Sequence, residues 1–417
     1  MKKVIALLMV LAMAFALVAC QTAQEPAATD TEPAAEATPV PREAREPVAK
    51  EDLKIGVILV HDENSGYDMA HIEGIQGACE ALGIDGAQIT MKLNIAETEV
   101  CYDTAVDLAE QGCNIIFSDS YGHQSYMMQA AKEYPEIIFV ACTGDTAAKE
   151  PVANVVNIFP YTYESRYVSG IVAGMKLKEL IDSGEATDPY VGYVGAFPYA
   201  EVVSGYTAFF LGVRSIVPEA HMDVQYTNSW YDPTAEAEAA RALINKGCVI
   251  IGQHADSTGA PSEVEAQLGS GKVCYSVGYN IDMLSVAPNA ALTSAQNNWV
   301  ALYQPILEYM ISGEAMPADY ATGAANNGVM ISPLGASCAE GTQAAVDQAF
   351  ADIKSGTLKV FDCDTWTVGG EKLESYTSCY GYEGNELIWD GYFHESELRS
   401  APCFDIRIDG ITELTAE

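Results

Sequence analysis

Hydrophobic positions along this chain fall in short unbroken runs separated by longer amphipathic stretches. Residues 55–60 (Ile-Gly-Val-Ile-Leu-Val) form a continuous apolar run, too short for a helix and suited to a strand buried on both faces. Helical spacing follows at 70–82 and stops at Gly83. The alternation continues with strand 89–93, helix 101–111 stopped by Gly112, strand 114–117, helix 125–134, and strands 137–141 and 154–158. Such an order predicts a parallel sheet covered by helices on both faces. After a helix at 163–180 and a polar break at 182–189, the plan restarts with a strand at 190–194. Strands at 222–226, 249–252, 273–277 and 291–293 follow, with helices at 204–216 and 233–246. The two units share a plan: I-G-V-I-L-V, loop, E-G-I-Q-G-A in the first, and V-G-Y-V-G-A, loop, S-G-Y-T-A-F-F in the second.

The predicted fold is therefore α/β, with two doubly wound parallel-sheet lobes, a hinge and a ligand cleft. Open parallel sheets take ligands beyond the carboxyl ends of their strands, and both sets of ends can face one cleft. The expected division is lobe 1 over 51–160 with a return segment at about 295–330, lobe 2 over 161–294, and a C-terminal segment, 331–417, packing on the lobes. That last segment is rich in Gly, Tyr and Trp and is expected to be an irregular cap.

The start of the chain has a different pattern. Lys2 and Lys3 precede an apolar stretch at 4–18 that closes with Leu17-Val18-Ala19-Cys20. This resembles a bacterial lipobox, and the stretch is too short to span a bilayer well. The expectation is a signal peptide at 1–19, lipid on the Cys20 thiol, and a mature protein anchored on the extracytoplasmic face of the cell membrane. Residues 20–50 carry prolines at 26, 33, 39, 41 and 47 and no apolar periodicity, which predicts a disordered tether.

Composition removes several function classes. The net charge of -37, from 58 acidic against 21 basic residues, argues against a nucleic-acid partner. Of 11 cysteines, Cys79, Cys113, Cys142, Cys248 and Cys274 lie in apolar patterns and read as small hydrophobes. Cys363, Cys379 and Cys403 sit in the loop-rich tail, where a bridge is expected. No nucleophile elbow, Walker loop, dinucleotide fingerprint or zinc motif occurs. Gly269-Ser270-Gly271-Lys272 reads as a surface turn, and His254-Ala255-Asp256 lacks a third metal ligand. The expectation is no enzyme, no metal and no cofactor.

The strand ends carry aromatic rings beside Asp, Asn, Gln or Ser. They include 61–68, 119–123, 196–201, 228–232, 253–257 and 278–282. Rings that stack and short polar groups that read an edge suit a planar heterocycle. For any one tyrosine, packing at the loop rim explains it equally well; the repetition at six strand ends favours a binding cleft.

Five stretches, S-G-Y-D-M-A-H-I-E-G (65–74), E-S-R-Y-V-S-G-I-V-A-G (164–174), V-G-Y-V-G-A-F-P-Y-A-E-V (191–202), T-N-S-W-Y-D-P (227–233) and Q-H-A-D-S (253–257), carry a family resemblance. In order and spacing they resemble the basic membrane protein (BMP) family, the substrate-binding lipoproteins of ABC importers, in its PnrA-like purine-binding type. The resemblance covers about 54–335. It implies a type I periplasmic-binding-protein fold, a purine nucleobase or nucleoside as ligand, a membrane ABC permease as partner, and a monomer. The family's first-loop acid, stacking aromatic and following polar residue match Asn64, Tyr67 and Asp68. The acid is here an amide, which puts ribose recognition in doubt and favours an adenine-like free base. Tyr121, Phe197 and Trp230 are candidate ring contacts. Glu201, Asp256 and Asp282 are candidates for reading donor groups. Where one branch of the family has W-N-W, this chain has Asn297-Asn298-Trp299. A sugar-binding protein or a ligand-presenting sensor of the same fold remains the alternative.

Overall fold

The computed structural model describes residues 43–147, 149–150 and 152–414; the expected signal peptide, Cys20 and most of the tether lie outside them. The first lobe starts with β1 (Ile55–Ile58), α1 (Gly66–Leu82), β2 (Ile89–Lys92), α2 (Glu99–Glu110), β3 (Ile115–Ser118), α3 (Gln124–Glu133), β4 (Ile138–Ala141) and β5 (Val155–Pro160). Helix α4 (Thr162–Ser183) opens the second, followed by β6 (Tyr190–Gly195), α5 (Ala200–Ile216), β7 (His221–Tyr226), α6 (Pro233–Lys246), β8 (Ile250–His254), α7 (Gly259–Gly269), β9 (Tyr275–Tyr279) and β10 (Ala291–Asn297). The chain returns through α8 (Val300–Ser312) and β11 (Asp319–Thr322). Then come β12 (Val329–Ile331), α9 (Thr342–Ser355), the short pair β13 (Ile388–Trp389) and β14 (Tyr392–Phe393), and β15 (Ile411–Leu414).

One sheet has the order β11-β5-β4-β3-β1-β2 and is parallel throughout. The other runs β12-β10-β9-β8-β6-β7-β15, parallel except where β12 meets β10. Burial on both faces explains the unbroken apolar runs. Val57 and Phe117 pack with Trp299 and Tyr303 on one side of the first sheet. Their neighbours Ile58 and Ile116 pack with Leu108 and Phe139 on the other.

Three crossings join the lobes, from β5 to α4, from β10 to α8 and from β11 to β12. They are tied together: Thr162 Oγ1 donates to Asn297 Oδ1 at 2.9 Å, and Tyr161 N donates to Thr322 O at 2.9 Å. Three bonded crossings restrict relative motion to a hinge.

Helix α1 begins at Gly66 rather than 70, and α5 at Ala200 rather than 204. The extra turn of α1, Gly-Tyr-Asp-Met, shows no apolar periodicity, whereas that of α5 turns Glu201 to the cleft and buries Val202 and Val203. Ser65 caps the first by accepting from Asp68 N. Helix α7 was not expected either; its short Gly-Ala-Pro start carries little helical signal. Helices α4 and α5 touch backbone to backbone. A Cβ at Gly170 would lie 2.0 Å from Phe209 O, and one at Gly212 2.1 Å from Tyr167 O.

The tail is more regular than an irregular cap. Helix α9 packs on α4, and β15 adds a parallel edge strand beside β7. Cys379 and Cys403 form a disulfide, whereas Cys363 is free and buried.

Candidate functional site

A narrow cavity lies between the lobes at the carboxyl ends of both sheets. Val60, Tyr67, Asp119, Ser120, Tyr121 and Thr143 line it from the first lobe, and Glu201, Trp230, His254, Asp256 and Tyr279 from the second. The lobes already meet here. Gly66 N donates to Asp256 O at 2.9 Å, and the His61 and Tyr231 rings are 5.5 Å apart. A larger hollow sits at the amino ends of β3 to β5, where residues 43–48 pack; it lacks converging rings.

Tyr67 stands on the first turn of α1. Its hydroxyl donates to Asp119 O at 2.9 Å and Cys142 O at 3.0 Å. Its ring meets His71 edge-on at 4.5 Å and Trp299 at 6.0 Å, so its position is fixed before any ligand arrives. Beside it, Asp119 ends β3 and accepts from Val60 N at 3.1 Å. Asp68 lies beneath, accepting from His61 N at 2.7 Å. Burial and the Asp68 charge push Asp119 well above the usual carboxyl range. Burial raises Asp68 too, but hydrogen bonds from His61, Ser65 and Asp119 outweigh it and hold that group low. Between the two, a proton is favoured on Asp119, the residue that faces the cavity.

Trp230 forms the wall on the second lobe. Its ring rests on Phe197 at 5.2 Å, and Phe197 stacks on Tyr199 at 5.1 Å. Tyr279 ends β9 with the Arg166 guanidinium 3.6 Å from its ring centre, on buried side chains. Arg166 is in turn anchored by donating to Gln253 O at 2.5 Å. Asp256 accepts from Asn280 Nδ2 at 2.9 Å; burial and then the charges of Asp68, Glu236 and Glu201 drive it well above the carboxyl range. Glu201 reaches about 7 through burial, with Arg166 opposing. Its partner His254, 3.4 Å away, is held neutral by burial and by Arg166.

Rings thus enter from both lobes, and burial favours the protonated carboxyl at Asp119 and Asp256. A neutral carboxyl both donates and accepts, which matches the alternating donors and acceptors on the edge of a planar heterocycle. Among the described residues no group of three or more His, Cys, Asp or Glu is placed to hold a metal.

Five of the nine candidate side chains come together here: Tyr67, Tyr121, Glu201, Trp230 and Asp256. The other four do not line the cavity. Asn64 is exposed, its amide donating to Asp62 Oδ1 at 2.8 Å within its own turn. Asp282 is exposed and accepts from Leu284 N at 2.9 Å to start a short 3-10 turn. Asp68 is buried behind Asp119, and Phe197 supports Trp230 from behind. Asp119, Ser120, His254 and Tyr279 also line the cavity; they lie in the flagged strand ends, His254 there weighed only as a metal ligand and the other three not singled out from their neighbours. Val60 and Thr143 carry no chemical signal, only their position after β1 and β4.

Glu164, Glu201, Glu236 and Glu395 are each raised by burial from 4.5 to about 7. The folded state holds these protons where the unfolded chain releases them. Their stabilisation is fully present below 4.5 and is lost as pH rises through about 7. Buried neutral His71 and His254 oppose this only below their unfolded value of 6.5. Raising the pH from 6.5 to 8 is therefore expected to lower stability by about 1 kcal/mol per carboxyl and Tm by several degrees. A flat Tm over that window in thermal denaturation would show the carboxylates already ionised in the fold.

Residues 55–354 match the Bmp family model, described as ABC transporter substrate-binding protein PnrA-like. A protein of Brucella abortus named as purine-binding is 30% identical over 79% of this chain and 91% of its own length. One of Haloferax volcanii, named as a putative ABC transporter glucose-binding protein, is 31% identical over 63% of this chain and 62% of its own. Among solved structures, an ABC transporter solute-binding protein from Aeropyrum pernix superposes with a TM-score of 0.63 at 16% identity. It covers 74% of this chain and 93% of that one. A solute-binding protein from Conexibacter woesei gives 0.58 at 22% identity over 74% of this chain and 98% of its own. These likenesses bear on the fold, a two-lobed periplasmic-binding architecture.

Proposed function

The chain belongs to the Bmp family of PnrA-like ABC transporter substrate-binding proteins, and from that premise we propose that it is a lipid-anchored receptor for a purine nucleobase or nucleoside, adenine-like by preference. It closes its lobes over the base and delivers it to a membrane permease, acting as a monomer and performing no chemistry. Its relatives are solute-binding proteins rather than enzymes. The anchoring rests on Leu17-Val18-Ala19-Cys20 and the proline-rich tether that follows.

The observation that carries the ligand class is the cavity itself: Tyr67 and Tyr121 from one lobe and Trp230 and Tyr279 from the other line a narrow space whose polar groups include the buried carboxyls of Asp119 and Asp256. Burying a ring edge against unmatched groups is costly, so this set discriminates among bases. A thermal-shift panel of purines, their nucleosides and sugars tests the reading, because a ligand of the folded state raises its stability by RT ln(1 + [L]/Kd). A shift with adenine exceeding that with adenosine supports it; shifts with sugars alone overturn the purine assignment. The sugar reading draws on the Haloferax relative, and carboxyls beside rings suit a pyranose as well.

Closure gives a second test. A Cβ at Gly66 would lie 3.3 Å from both Asp256 O and Ile281 Cγ1 on the opposite lobe. Gly66→Val is expected to hold the lobes apart, lowering affinity about tenfold or more while leaving Tm nearly unchanged. Calorimetric titration beside thermal melting checks this, and unaltered affinity would mean that the lobes need not meet at Gly66.

A further inference from the structure

The family match ends at residue 354, and the segment beyond it packs against both lobes. Phe361, Trp366, Phe393 and Phe404 bury it in the core of the second lobe, and β15 joins that lobe's sheet. The same segment also grips the first lobe. Arg399 Nη1 donates to Asp145 Oδ2 at 3.0 Å, with both side chains only 5% exposed. Ser400 N donates to Asp319 Oδ1 at 2.8 Å, on β11 of the first sheet. Lys149 Nζ donates to Gly381 O at 2.9 Å.

Arg399 is held from its own side as well. Its guanidinium donates to the carbonyls of Tyr380, Ala401 and Pro402. The Cys379–Cys403 disulfide closes the loop that presents those carbonyls. The oxygen that Arg399 reaches, Asp145 Oδ2, also accepts from the hydroxyl of Tyr121 at 2.9 Å. Tyr121 lines the ligand cavity. A single carboxylate oxygen therefore connects the C-terminal segment on one lobe to a ring of the cleft on the other.

We propose that the segment beyond residue 354 is a strap between the lobes, and that Arg399 is a positioning residue acting through Asp145 on Tyr121. The strap favours the closed arrangement and sets how long a ligand stays. Opening the lobes separates Arg399 from Asp145 and gives up a charge-assisted hydrogen bond between largely buried groups. Closing restores the pair and presents Tyr121 to the ligand. A surface ion pair would carry no such bias. The inference rests on the solute-receptor reading of the cleft, but its lobe-spacing consequence does not depend on which ligand binds.

The test uses the intact protein with Arg399→Gln, Arg399→Lys and Asp145→Asn. Spin-label distances between the lobes are measured without ligand, and adenine dissociation is followed by stopped-flow fluorescence. Arg399→Gln is expected to widen the lobe spacing and speed dissociation about tenfold, with Arg399→Lys restoring part of both. Lower Tm with unchanged spacing would make the pair a structural staple and overturn the strap. Wider spacing with unchanged dissociation would remove Arg399 as a positioning residue. If Arg399→Gln does not fold, Asp145→Asn, which keeps the side-chain shape, decides on the same two readouts. Absence of adenine binding by the unaltered protein would reject the ligand assignment while lobe spacing still judges the strap.

Discussion

Tyr67→Ala is expected to weaken adenine binding by about 1–3 kcal/mol, the usual worth of a base–aromatic stack. The ring is held in place by two hydroxyl bonds to the ends of β3 and β4 and by edge contacts with His71 and Trp299. Little ordering remains to oppose binding, so most of the stacking should appear as affinity. Tyr67→Phe separates the contributions: it keeps the ring but drops the bonds to Asp119 O and Cys142 O. It should lose less affinity than alanine and cost about 1–2 kcal/mol of stability through the unpaired carbonyls. Calorimetric titration of both variants checks this, and an alanine variant with full affinity would take Tyr67 out of the site.

Gly212→Leu is expected to damage the fold itself. The crossing of α4 and α5 brings backbones into contact, and a Cβ at Gly212 would sit 2.1 Å from Tyr167 O and 3.0 Å from the Cα of Gly170. No rotamer relieves a clash with backbone, so the helices must separate and loosen Val168, Phe209 and Val213 around them. The cost should exceed about 3 kcal/mol, lowering Tm by roughly 5–10 °C. Gly269→Ala is the control, since nothing lies within 4 Å of a Cβ there. A Gly212 variant that melts with the unaltered protein would mean that the helices pack less closely than described.

The sheet strands were legible because β1, β3 and β4 are buried on both faces and leave unbroken apolar runs. Helix starts were less so. The first turn of α1 carries Tyr67 into the cleft and has no apolar face to betray it, whereas that of α5 carries Glu201 there on a turn whose Val202 and Val203 are buried. Choosing single residues was harder still. Asn64 and Asp282 belong to polar strand-end loops like their neighbours, but each satisfies its own turn. Asp119 and Tyr279 look no different in sequence, and only the geometry of both lobes together aims them at the cavity. The strap was hidden for the same reason: Arg399 and Asp145 are 254 residues apart.

Titration of the intact protein with adenine, and separately with glucose, tests the receptor assignment most directly. The cavity of rings and buried carboxyls predicts saturable one-to-one binding of adenine that Tyr67→Ala weakens. Saturable glucose binding with no heat from adenine, or adenine binding untouched by Tyr67→Ala, would contradict it.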